Sequence, residues 1–420
     1  MPMTSGFLFS SEHLASRGAA AAGCLRILVN TTGGLSHQNM KTLYNACVLP
    51  ALSYTSPVWW NGNKGQIRKI ESIQNRCIRT IMPVFATTPI HAMQVQSGVP
   101  PLQIRLNHME YRAAAQLAVG IDPSNPIYEQ LPDRPQREHC KRSAAPPPLP
   151  VNPTRKPGML NKFKESTVHE TTKGIPRNIE NITPAHTTPP WRTDAQDKRY
   201  ATRLTTNPAR RGLTKGEAAD EHRTRITQLS QDADYVIIYT DGSTKEKDQE
   251  SRSGTGWVLY WKGTERRNGS EGMGKHANVY DAEMLALLRG LETAIEFQLA
   301  MPKENRKQSR IILFADNTSS VASIINEKPG SSQHISQKFM ETATNFLNKN
   351  RRASIEVSWV PGHMKIAGND RADEIAKEAT ELEPATTTTT IAKLHRQLRD
   401  HMKVEWVTEW ARTLMTGRYP

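Results

Sequence analysis

The stretch Tyr235-Val-Ile-Ile-Tyr-Thr-Asp-Gly-Ser243 decides how the second half of this 420-residue chain is read. Its first five residues are β-branched or aromatic, a composition that favours a pleated strand buried on both faces. Asp241-Gly242-Ser243 supplies turn residues, so the strand is expected to stop there with Asp241 at its end. Downstream, Gly254-Thr-Gly-Trp-Val-Leu-Tyr-Trp261 predicts a second strand, and a third is expected over 265–273. Asp281 through Phe297 predicts a helix, apolar at 284, 285, 287, 288, 291 and 295. Arg310-Ile-Ile-Leu-Phe-Ala315 predicts another buried strand ending at Asp316, and Ser354-Ile-Glu-Val-Ser-Trp-Val360 a further one. Helices are expected over 319–325, 333–347 and 370–380. The run Thr386–Thr390 reads as a low-complexity spacer before a last helix over 391–415. Strands and helices in this order predict an α/β domain with a mixed sheet.

Upstream the pattern changes. Residues 1–119 read as helical, with apolar residues at 43, 44, 47 and 48 before a stop at Pro50, and an i, i+3/i+4 stripe at 67, 70, 73, 77, 78 and 81. A third helix is expected over 102–117. Pro57 predicts an aromatic loop or a short extended piece around Trp59-Trp60. Residues 120–232 hold 15 of the 27 prolines, without periodicity, and read as a largely disordered linker, with a short helix over 214–230 at its end. The net charge of +14 is concentrated here: +7 in residues 1–119, +6 in 120–232 and +1 in 233–420. Such a surplus suggests a polyanionic partner, nucleic acid before others. Scattered cysteines argue against a disulfide framework or a zinc knuckle. No apolar run is long enough to span a membrane. Gly6-Phe7-Leu8-Phe9 is too short for a secretory signal, and Arg210-Arg211 is too short for a nuclear one, so an intracellular, nucleus-leaning setting is only the expectation.

Three acids fall where chemistry would want them. Asp241 and Asp316 each follow a buried strand, and Glu283 lies near the start of an apolar helix. In α/β sheets, ligand sites gather where strands run out. Converging carboxylates repel one another and make sense around a divalent cation, Mg²⁺ or Mn²⁺ by ligand chemistry. Asp373 is a fourth candidate, one turn into the helix opened by Gly368-Asn369-Asp370. Each acid alone has an ordinary explanation. Asp241 is a turn residue, and Asp370 is a helix-start acid. Asp281 is expected to be a solvated helix residue. The ordered set, separated by 42, 33 and 57 residues, carries the argument.

Four spaced segments then resemble one family in its own order: Tyr239-Thr-Asp-Gly-Ser243, Tyr280-Asp-Ala-Glu283-Met-Leu-Ala-Leu, Phe314-Ala-Asp316-Asn317, and Trp359-Val-Pro-Gly-His363 with Gly368-Asn-Asp-Arg-Ala-Asp373-Glu-Ile-Ala. Residues 233–381 resemble a type-1 ribonuclease H domain of the retroelement variety. The resemblance implies a five-stranded mixed sheet flanked by helices. It also implies Asp241, Glu283, Asp316 and Asp373 as metal-binding catalytic acids, and His363 as the mobile-loop histidine that assists catalysis or product release. Two Mg²⁺ ions, with Mn²⁺ as an alternative, are the implied cofactors. The implied partner is an RNA–DNA hybrid, met by Gly242, Ser243 and Asn317 and recognised through 2′-hydroxyls and duplex shape. Val279-Tyr280 stand where cellular members often carry an Asn or Gln for the minor groove.

The segments Leu43–Tyr54, Pro57–Trp60 and Ile70–Arg76 resemble the thumb-like region after the polymerase core of non-LTR (LINE-type) reverse transcriptases, and Trp406–Trp410 resembles sequence that follows such domains. An aromatic–x–Asp–Asp polymerase signature is not present in the chain, so a polyprotein fragment without polymerase activity is expected. The expected division is 1–119 helical, 120–232 linker, 233–381 nuclease, and 382–420 spacer and helix. The competing expectations are a catalytically idle nucleic-acid-binding remnant, an integrase- or resolvase-like nuclease, and a helical interaction module at 1–119. His363 and the Gly368–Ala376 motif speak against the integrase.

Overall fold

The computed structural model describes residues 11–28, 34–82, 84–85, 87–120, 178–180, 202–209, 212–247, 250–302, 309–326, 330–385 and 387–415. The expectation of a disordered linker over 121–177 and 181–201 lies outside the described residues, as does Gly6–Phe9. Among the described residues the chain forms two compact units, one of 11–120 with 395–415 and one of 178–394. No helix among them is long and apolar enough to cross a membrane.

The first unit is helical: α1 (Ser11–Leu28), α2 (His37–Leu43), a π turn (Tyr44–Val48), α3 (Leu49–Leu52), α4 (Ser56–Trp59), α5 (Lys64–Ile81), α6 (Ile90–Ser97) and α7 (Leu102–Gly120). The stripe expected on α5 is buried, with Ile67, Ile70, Ile73, Cys77, Ile78 and Ile81 in the core beside Leu14, Tyr44 and Trp60. Two expectations fail here for the same reason. Pro50 does not end its helix and Pro57 does not force an extended piece, because each sits in the first turn of a short helix, where its missing N–H is not needed. The wider π turn before Pro50 gives its ring room that a continuous α-helix would not. Trp60 is buried and donates from Nε1 to Asn107 Oδ1 at 2.8 Å. Helices α1 and α6 carry weak amphipathic patterns and were not legible from periodicity.

The second unit contains β1 (Leu204–Asn207), α8 (Lys215–Leu229), β2 (Tyr235–Lys247), β3 (Glu250–Trp261), β4 (Thr264–Gly274), α9 (Val279–Ala300), β5 (Arg310–Ala315), α10 (Thr318–Ser323), α11 (Gln333–Lys349), β6 (Ser354–Trp359) and α12 (Ala367–Ala379). A last helix, α13, spans Ile391–Met415. The sheet has six strands, not the expected five, in the order β1-β6-β5-β2-β3-β4. The extra strand is β1, four residues paired parallel to β6 at the edge. Leu-Thr-Thr-Asn is too short to show a period. Strands β6, β5 and β2 run parallel, and β2, β3 and β4 antiparallel.

The alternation of side chains sorts each strand between two cores. Val236, Ile238, Ile311 and Leu313 face the core shared with α9, α10 and α11. Ile237, Tyr239, Ile312 and Phe314 face the core shared with α8 and α12. Helix α8 begins with a capping box, in which the Thr214 hydroxyl accepts from the Glu217 amide and the Glu217 carboxylate accepts from the Thr214 amide. Helix α12 lies directly on β3, since a Cβ at Gly256 would stand 2.7 Å from the Ala372 carbonyl oxygen. That approach fixes the helix carrying Asp373 against the strand that pairs with Asp241.

Candidate metal centre

Asp241 does not end its strand. Beta-2 continues to Lys247 against β3, pairing Asp241 with Gly256 and Ser243 with Gly254. What ends beside Asp241 is the partnership with β5, whose last pair is Thr240 with Ala315. Asp-Gly-Ser is tolerated in mid-strand because β3 supplies the ladder. Asp241 and Asp316 therefore lie at the point where parallel pairing runs out, with Asp316 one residue past β5.

Glu283 reaches the same place from α9. It is the fifth residue of that helix, and the helix start is pressed onto β2, since a Cβ at Gly242 would collide with the Glu283 backbone nitrogen. Carboxylate oxygens of Asp241, Glu283 and Asp316 all lie within 4.8 Å of one another, with Asp241 and Glu283 buried. The Gly242 amide donates to both Asp241 and Glu283. Glu283 Oε2 is buried without a hydrogen-bond partner.

Burial and mutual repulsion raise the proton affinity of these acids. Asp241 is pushed up to about 8, first by burial and then by the charges of Asp316 and Asp373. Glu283 is raised well above its ordinary value by burial and then by Asp241 and Asp316. Asp316 is raised by burial, with His363 pulling the other way. Crowded carboxylates with raised proton affinity are ones that a bound cation would favour in the ionised form.

Asp373 stands at the rim. It lies within hydrogen-bonding reach of Asp241, and its Oδ2 accepts from Lys377 Nζ at 2.6 Å, one turn along α12. It is outside the three-acid group that shares one possible cation position. His363 is exposed in a positive-φ conformation on the loop before α12, and its charge reaches Asp316. Gly242 and Ser243 are strand residues whose main chain is paired with β3. Asn317 caps α10, with its Oδ1 accepting from the Ser319 and Ser320 amides at 2.9 and 3.2 Å.

Two residues were missed. Asn369 is buried and its side chain donates to Asp316, which orients that carboxylate. In the sequence it stands only as the middle residue of Gly368-Asn369-Asp370. Asp281 is fully buried, not solvated. Its Oδ1 accepts from Ser332 Oγ at 2.5 Å and lies 2.9 Å from Ser331 Oγ. Its Oδ2 accepts from the Asn278 amide at 2.9 Å and from Thr390 Oγ1 at 2.5 Å. Beside it, the buried Glu180 carboxylate accepts from the Ser332 amide at 3.0 Å and the Ile391 amide at 2.6 Å, and meets His334 Nδ1 at 3.0 Å. The threonine run is thus no mere spacer in the structure, since Thr389 and Thr390 are buried.

Residues 233–381 match the family model described as RNase H. Among solved structures, the chain is similar to RNase H1 from the archaeon Halobacterium salinarum at 24% identity, covering 34% of this chain and 96% of that one, with a TM-score of 0.26. It is similar to LC11-RNase H1 in complex with an RNA/DNA hybrid at 22% identity, covering 34% and 96%, with a TM-score of 0.27. It is also similar to the N-terminal RNase H domain of a Mycobacterium tuberculosis protein, at 22% identity over 35% and 99%, with a TM-score of 0.26. No curated protein matches the chain.

Proposed function

We infer that the RNase H domain of residues 233–381 makes this chain an endonuclease that hydrolyses the RNA strand of RNA–DNA hybrids with divalent cations. The observation that carries this reading is the group of three carboxylates within 4.8 Å, one of them with a buried oxygen that no protein group satisfies. An oxygen-only donor set suits Mg²⁺ or Mn²⁺. Asp241, Glu283 and Asp316 would hold the cations, with Asp373 at the rim as the further ligand. When bound, two such ions polarise the scissile phosphate and favour attack by water, leaving a 5′-phosphate and a 3′-hydroxyl.

The chain's own residues do the rest. The Gly242 amide and the Asn369 amide fix the orientation of the acids before a substrate arrives. Lys377 holds Asp373 near Asp241 in readiness. His363, exposed on the loop before α12, lies on the Asp316 side of the cluster, where a departing product would need to be separated from the acids. Gly242, Ser243 and Asn317 border the cluster and are the contacts proposed for the RNA strand.

The thumb-like reading of residues 1–119, and with it a non-LTR retrotransposon origin, is part of the same proposal. It is supported by the apolar stripe of α5 and the packed Trp59-Trp60 pair. The test is a cutting assay on the full chain with a labelled hybrid and Mg²⁺. The wild type is expected to cut the RNA strand, and Asp241→Asn to abolish cutting while still shifting the hybrid on a gel. A wild-type chain that shifts the hybrid and leaves it intact would establish the idle-remnant reading instead.

A further inference from the structure

A cavity of about 350 Å³ opens beside Asp316, between α8, the end of β1 and the ends of β5 and β6. That size is at the lower end of small-ligand sites, which run to about 300–1,000 Å³. Two of its walls, β1 and α8, lie upstream of the stretch that matches the RNase H family, so the cavity is a feature of this chain's additions to that domain. Trp359 supplies aromatic surface, and Leu213 and Pro208 supply apolar surface, while the buried Phe314 ring is already stacked on Tyr239 with Arg225 over it. Asn207 and Ser358 supply hydrogen-bonding groups, bonded to each other at 3.2 Å.

One wall of the cavity is bonded to the segment that carries Asp316. Trp359 Nε1 donates to the Asp316 carbonyl oxygen at 2.9 Å, so the ring that walls the cavity is fixed to the residue that carries the carboxylate. Pro361, also a lining residue, precedes Gly362, where a Cβ would collide with the Asp316 carboxylate. Lys215, at the first turn of α8, lines the cavity, and its charge is felt at Asp316. It has no ion-pair partner among the described residues. Arg225, deeper in, is already committed to Glu356 at 2.7 Å.

We propose that this cavity is a subsite for one unpaired nucleotide of the strand at Asp316, with the base against Trp359 and a phosphate at Lys215. Aromatic surface with flanking amide and hydroxyl groups suits a base of any sequence, because every base has a π-face. Lys215 suits one phosphate, in a lining that also holds the Glu221 carboxylate. A paired nucleotide would not enter, since its base edge is occupied. The inference rests on the hybrid-nuclease reading for its choice of strand, but not for its test.

The test is equilibrium dialysis of the full chain with adenosine 5′-monophosphate in EDTA, so that the acid cluster takes no part through a cation. Saturable binding is expected. Ala218→Phe, which fills the cavity from a half-buried position on α8, should abolish it. Lys215→Ala should weaken it about tenfold, the loss of one charge-assisted contact, while Asp241→Asn leaves it unchanged. No saturable binding, or equal binding by Lys215→Ala and Ala218→Phe chains and wild type, overturns the proposal. Inorganic phosphate binding as tightly as the nucleotide overturns it too, because the base would then contribute nothing. A chain that fails to cut hybrids but binds the nucleotide with the expected sensitivities defeats the nuclease reading and leaves the subsite standing.

Discussion

Two groups of buried carboxylates sit in the same domain and are built on opposite principles. Around Asp281 and Glu180, hydroxyls and backbone amides from three chain segments converge on the oxygens, and Ser332 adopts a left-handed conformation to present both its amide and its hydroxyl. Around Asp241, Glu283 and Asp316, acids face acids, and Glu283 Oε2 meets nothing. Burial raises the proton affinity in both places. At Asp281 the hydroxyl and amide donors push back against it, while at Glu283 the neighbouring carboxylates add to it. A buried charge with a full set of donors holds a fold together, and one without them destabilises it unless something else arrives. The contrast separates a structural polar centre from one shaped for a cation, with residue type and burial nearly the same.

The comparison can be broken most directly by neutralising one member of each group. Glu283→Gln should lower hybrid cutting by about three orders of magnitude or more, yet raise the melting temperature in EDTA by a few degrees, because the cost of burying an ionisable group beside Asp241 and Asp316 is removed. Asp281→Ala should shift stability in the opposite direction. Ser331, Ser332, Thr390 and the Asn278 amide would lose their acceptor, at a cost of about 2–4 kcal/mol, read as a lowered denaturation midpoint. If both variants shift stability in the same direction, the distinction between the groups fails.

Proton linkage sharpens the contrast. Asp241 keeps its proton up to about 8 in the folded, cation-free chain, whereas the unfolded chain sheds it in the ordinary carboxylate range. The folded state then binds more protons across that window, so stability in EDTA should be greatest on the acid side and fall as pH rises towards about 8. Saturating Mg²⁺ should flatten the fall, because the cation replaces the proton. A thermal-melt series that is flat in EDTA would contradict the crowding. The smallest effect is expected from Glu180→Gln, which keeps shape and some acceptor capacity. It should cost about 1 kcal/mol and show as faster amide exchange at Ser332 and Ile391.

The sequence displayed one of these groups and concealed the other. Asp241, Glu283 and Asp316 were legible because each is marked by its own element: a β-branched run, an apolar helix, a second β-branched run. The cluster's partners are set by the sheet, and the order of elements implies the sheet. Asp281 is two residues from Glu283 and carries no such mark. Apart from the Asn278 amide, its donors stand 50, 51 and 109 residues away and include one member of a threonine run that looks featureless. Glu180 is bonded across 152 and 211 residues. Hydrogen-bond partners at that distance leave no period in the chain. The same applies to β1, whose four residues are defined by the neighbour they pair with, and to Asn369, whose donation to Asp316 depends on how α12 lies on β3.

The reach of Glu180 also orders events in time. A chain emerging from its N-terminus presents Glu180 early, the sheet later, and the amide of Ile391 and the hydroxyl of Thr390 last. Until then Asp281 and Glu180 are short of donors in an apolar surrounding. The sheet can pair and the acids at Asp241 can assemble, but the polar centre beside them closes only when the segment beyond the family match has been made. The ring so formed spans about half of the chain, and loop closure grows costlier with length only slowly, so the delay follows from synthesis, with the entropy of closure a minor part of it.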